Sequence, residues 1–565
     1  MKVTTATVRG KMDGARFSTA IDAAGHGKFQ YVAFLTAGLI YFTSGMQSGI
    51  NAYILPSVKC DYQLSDSQMG VLNALFLGGG GLSAHLWGAL SDSYGRRPVL
   101  AGALLIDAVC VSASTLAPNF TVFAVLRLFS GMLNMAPAGL AFLYLGEFVC
   151  DRRRTAFSQA MGTMWIASWI ILPALAWVVI PLPWAVDFLG VRLQSWRAFL
   201  ALLLVPTLTA AGLALYMPET PKFLQAAGRE EDALKVYRRI YATNTGESAD
   251  GYPVKRLHLP SSARAEARAE ARANAVEASS HAHAHGKDVL HILARTLKLS
   301  AELFKPPVLY RTALCCTIYF CSMFVLYGFG YWLPELLNRF ELHANAHPGE
   351  SEYVCAVLSA AHNSSSPVPV LVDGATSCGD ATVVDPSAFL NTAIINSASM
   401  TVNLLSTLTT GYIGRRTLSA GCNLLSGAVG FGLLYASSTL EVVAVAIFFN
   451  ALAETGCIGI NGMIVDIFPA RASGVGVASV MLSGRLGGSM GNLAMGYLLE
   501  QSCELPLMLL FSMAIVCGAI CCFAHGRYEE DDKEEGPTPT KEDVEIAARE
   551  AAAATPQPLP TVCKE

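Results

Sequence analysis

The chain has 565 residues, 53% of them hydrophobic and 15% charged, with a mean hydropathy of +0.43 and a net charge of −4. Soluble domains carry about 25% charged residues, so these values argue against a soluble enzyme, a fibre or a disordered chain. Lys+Arg at 39 against Asp+Glu at 43 gives no basic field for nucleic acid.

The first 17 residues, MKVTTATVRGKMDGARF, are polar and contain no apolar signal segment. A helix crossing the hydrocarbon layer needs about 20 mostly apolar residues. Twelve such runs are predicted, at 31–55, 69–91, 98–117, 120–148, 157–180, 198–217, 308–336, 387–410, 417–437, 441–465, 474–499 and 504–524. The expected fold is an all-α membrane protein of two six-helix bundles, 31–217 and 308–524, with an insert at 337–386. A leading segment 1–30, a central loop 218–307 and an acidic tail 525–565 complete the chain. Arg96, Arg97, Arg152, Arg153, Arg154, Arg415, Arg416 and Arg471 fall in the loops shared with the N-terminus. Positive residues favour the cytoplasmic side, so both termini are expected there, and the insert on the luminal or extracellular side.

The turn after the second run reads GALSDSYGRRP, with Gly88, Asp92, Gly95, Arg96 and Arg97. Gly88 is expected to let neighbouring helices approach and Gly95 to allow a tight turn. The halves repeat: Gly95-Arg96-Arg97 recurs as Gly414-Arg415-Arg416, and Glu147 as Asp466, both at an offset of 319 (414 − 95 and 466 − 147). One offset for two landmarks argues for a duplicated six-helix unit.

That turn resembles the signature loop of the major facilitator superfamily, and RLFSGMLNMAPAGL resembles its second motif through Arg127 and Gly131, with Ser130 departing from it. PETPKFL at 218–224 resembles a segment of sugar and organic-ion porters. HGKFQYVAF, AYILPS, LSDSQMGVLNALFLGGGG, SWRAF, YWLPELL and DIFPARASGVGV together are similar to the synaptic vesicle glycoprotein 2 family, over roughly 28–525. The resemblance implies a porter fold, a glycosylated luminal insert and an association with secretory vesicles; the plasma membrane is the other expected location. Three departures mark a divergent paralogue. Thr43, Ser44 and Gln47 replace acidic positions of the first helix; Cys457 and Asn461 replace aromatic and acidic positions of the tenth; and the insert is short.

Ionisable groups at membrane depth are costly and usually face a cavity or a partner. Here they are His85, Asp107, Arg127, Glu454 and Arg485. The superfamily fold implies that Arg127 and Glu454 lie on path-lining helices. Similar depth suggests that Glu454 pairs with Arg485, with an ion pair of purely structural role as the equal alternative. Asp107 and His85 are read as structural. Trp165 and Trp169 at helical spacing, with Tyr327, Tyr331 and Trp332, are candidates to box a flat or cationic solute; for Trp332 lipid-interface anchoring competes equally. Arg127, Trp165, Trp169, Tyr331, Trp332, Glu454, Asn461 and Arg485 are thus the candidate solute or coupling residues. Gly88, Asp92, Gly95, Arg96, Arg97, Arg415 and Arg416 form the candidate conformational latch.

In the loops, Asn363-Ser364-Ser365 is a glycosylation sequon, and Cys355 and Cys378 are the candidate disulfide on the oxidising side. The alternating His residues of HAHAH at 281–285 are a weak metal signal, read as a solvated loop. Neither a nucleotide-binding P-loop, a hydrolase elbow nor zinc-ligand spacing occurs. The expected protein is not an enzyme and uses no cofactor or metal. It is a secondary transporter of a small organic ion or sugar-like solute, with protons as the candidate driving ion and cytosolic partners for the central loop and tail. The alternative is a transporter-like vesicle membrane protein that acts in trafficking.

Overall fold

A computed structural model describes residues 12–15, 17–188, 190–257, 309–347, 352–363, 384–409, 413–467 and 473–523. In chain order the helices of the first half are α1 (Phe17–Ala24), α2 (Lys28–Tyr62), α3 (Asp66–Tyr94), α4 (Arg96–Thr115), α5 (Phe120–Gly146), α6 (Asp151–Val179), α7 (Ser195–Leu202) and α8 (Leu204–Tyr216). The central region adds α9 (Pro221–Ala226) and α10 (Glu230–Thr245). The second half holds α11 (Leu309–Gly330), α12 (Leu333–Ala346), α13 (Val354–Asn363), α14 (Pro386–Thr409), α15 (Arg415–Gly430), α16 (Thr439–Ile467), α17 (Ser473–Leu499) and α18 (Glu504–Cys521). Four short strands are β1 (Met12–Ala15), β2 (Ala185–Phe188), β3 (Val191–Gln194) and β4 (Val254–Leu257).

Local chemistry sets the helix ends. Ser65 accepts from the Gln68 N–H while the Gln68 side chain returns to Ser65 N–H, a capping box that starts α3. Asn119 caps α5 through Val122 N–H at 3.0 Å. Among the described residues, nine helical stretches are long and apolar enough to cross a membrane. The other three predicted runs are helical too, as α2, α14 and α17, but polar residues lower their hydropathy. α2 alone buries Thr43, Ser44, Gln47, Ser48 and Asn51. Their polarity marks helices whose faces turn to protein rather than lipid.

In the first half α3 packs on α5, α4 on α5 and α8, and α2 on α6; in the second, α11 packs on α17 and α15 on α16 and α18. The halves meet through α3 against α17 and α6 against α14. Glycines permit the closest approaches: a Cβ on Gly131 would overlap the Phe76 carbonyl, and one on Gly487 the Phe320 carbonyl. The apolar core is shared unequally. One cluster spans both halves near Asp66, including Tyr53, Leu172, Tyr331, Phe389 and Met495. Toward Gly95 and Gly414 the core splits, one cluster staying in each half.

Three features depart from the sequence reading. The leading segment and the central loop join: β1 pairs with β4 in parallel, α1 packs on α10, and Tyr252 donates to the Ala20 carbonyl at 2.7 Å. Cys355 is bonded to Cys503, not to Cys378. The loop after α17 brings Cys503 beneath α13, a proximity across 148 residues of sequence; Cys60 is also disulfide-bonded. A Cβ on Gly88 would meet open space among the described residues, so none of the described helices uses Gly88 for close approach. Cys378, the HAHAH stretch, Arg471 and the acidic tail lie outside the described residues.

Candidate functional site

The aromatic residues converge between the halves. Trp169 of α6 stacks on Tyr331, the residue after α11, with ring centres 6.1 Å apart; Tyr331 meets Tyr327 edge-on at 5.3 Å. Trp165, one turn from Trp169, lies 5.1 Å from the Tyr41 ring of α2. Asn396 of α14 ties the seam, donating to the Trp169 carbonyl at 2.8 Å and to Tyr53 Oη at 3.4 Å. Arg485 of α17 stands 6.0 Å from the Tyr327 ring centre, and its charge faces the phenols of Tyr327, Tyr319, Tyr331 and Tyr41. Arg485 is half-buried, and its guanidinium makes no hydrogen bond among the described residues. The cluster therefore offers planar stacking surfaces, phenol hydroxyls and one cation at a seam between two bundles.

Other predicted residues stand apart. Arg127 is fully buried between the Phe76 and Phe123 rings, each 5.9 Å away, and faces Asp107 of α4. Asp107 accepts from Ser130 Oγ. Arg127 thus belongs to the α3–α4–α5 core, away from the aromatic cluster. Glu454 does not pair with Arg485. Its carboxylate accepts from Asn403 Nδ2 at 2.7 Å and Asn450 Nδ2 at 3.2 Å, because α16 turns that face to α14 while Arg485 points at α11. Trp332 is fully buried, which removes the interface-anchor reading. Asn461 bonds Cys457 on its own helix. Asn363 is the last residue of α13.

At the Gly95 end, Arg96 lies 3.2 Å from Asp92 and 3.7 Å from Glu147. Glu219, from the PETPKFL segment, receives the backbone N–H groups of Arg96 and Arg97 at 3.1 Å each. It caps α4 at its positive end. Gly95 has φ 98°, and a Cβ there would also strike Glu219. Burial pushes the Glu219 carboxyl above its ordinary range, against the pull of those N–H donors and of Arg96. In the repeat, Arg415 donates to the Gly462 carbonyl at 3.2 Å and Arg416 to the Cys522 carbonyl. Gly414 has φ −51°, so the two turns share sequence but not geometry.

At the opposite end a charged cluster joins the halves. Arg339 of α12 grips Asp66 of α3 with two bonds, 2.6 and 3.1 Å, and Glu335 at 2.7 Å; Lys59 adds 3.0 Å to Asp66. Glu500 accepts from the Ser67 N–H at 2.8 Å. This cluster was not anticipated. Its only sequence signal is a set of charges beside the apolar runs. Asn396, Asn403 and Asn450 were missed because lone amides on apolar helices carry no distinctive spacing.

Two helical bundles with apolar spans, joined at a polar–aromatic seam, define a membrane protein of transporter architecture. The chain belongs to the Major Facilitator Superfamily, whose model matches residues 37–368 and 384–562. The family is one of transporters, not of enzymes. Among curated proteins, rat synaptic vesicle glycoprotein 2A is 25% identical over 58% of this chain and 44% of its own length. Human synaptic vesicle glycoprotein 2B is 25% identical over 58% and 48%. The chain thus spans about half the length of these relatives. Among solved structures, the E. coli xylose transporter XylE superposes with a TM-score of 0.58 in both a partially occluded inward-open and an inward-open form. The identities are 14% and 15%, with 88% and 92% of this chain and 99% of each structure covered.

Proposed function

We propose that this protein is a secondary transporter that moves a small organic solute by alternating access between its two bundles, its twelve helical runs all serving as spans. The solute site is the seam lined by Trp169, Tyr331, Tyr327, Tyr41 and Arg485. The observation that carries this reading is Arg485. A half-buried cation set against four phenols and a stacked Trp–Tyr pair at the seam between the bundles offers both a charge and flat surfaces to a solute. The arrangement suits a planar or polyhydroxylated solute with an acceptor group for the guanidinium. The basic loops support cytoplasmic termini, which makes the Asp66 end the outer one. The fused core and the Asp66–Arg339 pair then describe a state closed to the outside, with separate cores on the cytoplasmic side.

The test is uptake into liposomes containing the purified chain, across neutral sugars, organic cations and organic anions. Saturable uptake of one class, abolished in Arg485→Ala, is the expected result; no uptake of any class counts against transport. The vesicle-glycoprotein relatives favour a second reading, a transporter-like membrane protein acting in vesicle trafficking. The same blank panel would support it.

A further inference from the structure

Glu454 lies in the interior of α16, in a run long and apolar enough to cross a membrane. Its surroundings are polar but uncharged. Asn403 Nδ2 reaches one carboxylate oxygen at 2.7 Å and Asn450 Nδ2 the other at 3.2 Å. Each amide is itself held: Thr455 Oγ1 donates to Asn403 Oδ1 at 2.7 Å, and Asn450 Nδ2 also reaches Ser399 Oγ at 3.2 Å. Ser399, Asn403, Asn450 and Thr455 are buried, whereas Glu454 is half-buried.

The charge balance is the unusual part. Among the described residues no Lys, Arg or His comes within ion-pair distance of Glu454. The titratable group that faces it is Cys457, one turn along the same helix. From α14 it meets the neutral Ser399 and Asn403. From α15 the groups packed towards α16 include the neutral Ser419, Asn423 and Ser426, and the cation Arg415, which lies against Gly462, two turns beyond Glu454. On α11, Tyr319 faces Cys457 and Arg485, and on α17 Arg485 faces the phenols. Two amide donors hold an anion in place but supply no net positive charge, and a lone carboxylate at membrane depth is costly. Three ways out exist: a cation, a metal ion or a proton. The first is absent among the described residues. A hard metal ion needs a shell of oxygens, but amide nitrogens occupy the near side of both carboxylate oxygens.

We infer that Glu454, with Asn403 and Asn450, is a proton-binding site in the second bundle, separate from the aromatic seam. The carboxylate takes a proton from hydronium on a free lone pair and releases water; the reverse step returns the proton, with no change of oxidation state. The amides bond the charged form more strongly than the neutral one, so removing either donor should change how tightly the proton binds. This deepens the transport reading by naming the proton as the coupled ion, and as a coupling device it rests on that reading. Its chemistry is measurable without any solute.

The experiment is infrared difference spectroscopy on the full chain in lipid, stepped from mildly acid to mildly alkaline buffer with no solute added. The expected result is a protonated-carboxyl band that converts to carboxylate as pH rises and is missing from Glu454→Gln. Subtracting the variant removes signals from Asp107 and the exposed acids. Asn403→Ala, which keeps the carboxyl and removes its shortest donor, should bind the proton about tenfold more tightly, moving the conversion to higher pH. It serves also if Glu454→Gln does not fold. A titrating band that survives in Glu454→Gln, or a conversion unmoved by Asn403→Ala, overturns the proposal. If the Glu454 band titrates while no solute is taken up, the proton site stands and the transport reading falls. Solute uptake with a Glu454 that never titrates removes the proton site and leaves transport standing.

Discussion

Among the described residues, Arg339 supplies the largest charged contact that crosses between the bundles. It places two guanidinium bonds on Asp66, at 2.6 and 3.1 Å, with side chains only 12% and 5% exposed. Charged hydrogen bonds contribute about 1.5–3 kcal/mol each. In Arg339→Ala, Lys59 remains 3.0 Å from Asp66 and is 35% exposed, so the carboxylate keeps part of its compensation. The loss then falls near the low end, about 3 kcal/mol, which is roughly a 150-fold shift at about 1.4 kcal/mol per tenfold. On the transport reading the contact is made only while the Asp66 end is closed, so nearly all of that shift should favour opening there. Spin labels on Gln63→Cys and Gln501→Cys, both exposed and on opposite bundles at this end, report the distance. The wild-type distribution should be dominated by the short separation, with a longer one appearing in Arg339→Ala and a smaller fraction of it in Arg339→Lys. An unchanged distribution in a well-folded Arg339→Ala would refute the assignment of this pair as the closure contact.

At the other end, Asp92 is 60% exposed and its ion pair with Arg96 should contribute under about 1 kcal/mol. Glu219→Ala, which uncaps α4, should therefore lower the melting temperature more than Asp92→Ala; the opposite order refutes the cap. The raised Glu219 carboxyl binds protons more readily folded than unfolded, so its contribution to stability falls as pH rises through its folded pKa. A melting-temperature profile in which Glu219→Gln flattens that fall is expected. Gly131→Ala should cost at least about 1–3 kcal/mol, because the Phe76 carbonyl occupies the space, while Gly162→Ala meets open space and should be tolerated; equal melting of the two would sink the argument. Cys355→Ser should destabilise by about 2–5 kcal/mol, and non-reducing peptide mapping should recover Cys355 with Cys503, a Cys355–Cys378 peptide being the refuting result. Asn363→Gln should remove a glycan mass shift if the insert faces the lumen or exterior; an externally accessible C-terminal tail would overturn that topology.

The class of fold was legible in the chain alone. Apolar runs long enough for the bilayer must become helices, since the hydrocarbon layer leaves no other partner for backbone N–H and C=O groups. The 319-residue offset between Gly95 and Gly414 carried the duplication. Gly95 was legible as a turn because its positive φ is a local requirement. The partners of side chains were fixed only when the helices packed. Glu454 and Arg485 sit at similar depths, but depth fixes one coordinate of three. Helix rotation sends Glu454 to Asn403 and Arg485 to Tyr327. The same holds for Cys355, whose partner Cys503 comes from a loop 148 residues away rather than from the nearby Cys378. Asp66 and Arg339 are 273 residues apart and meet only because the bundles bring α3 and α12 together. Burial and periodicity are properties of one segment and are written in it. Pairing across segments depends on how helices rotate and tilt against each other, which many small contacts spread along the chain decide together.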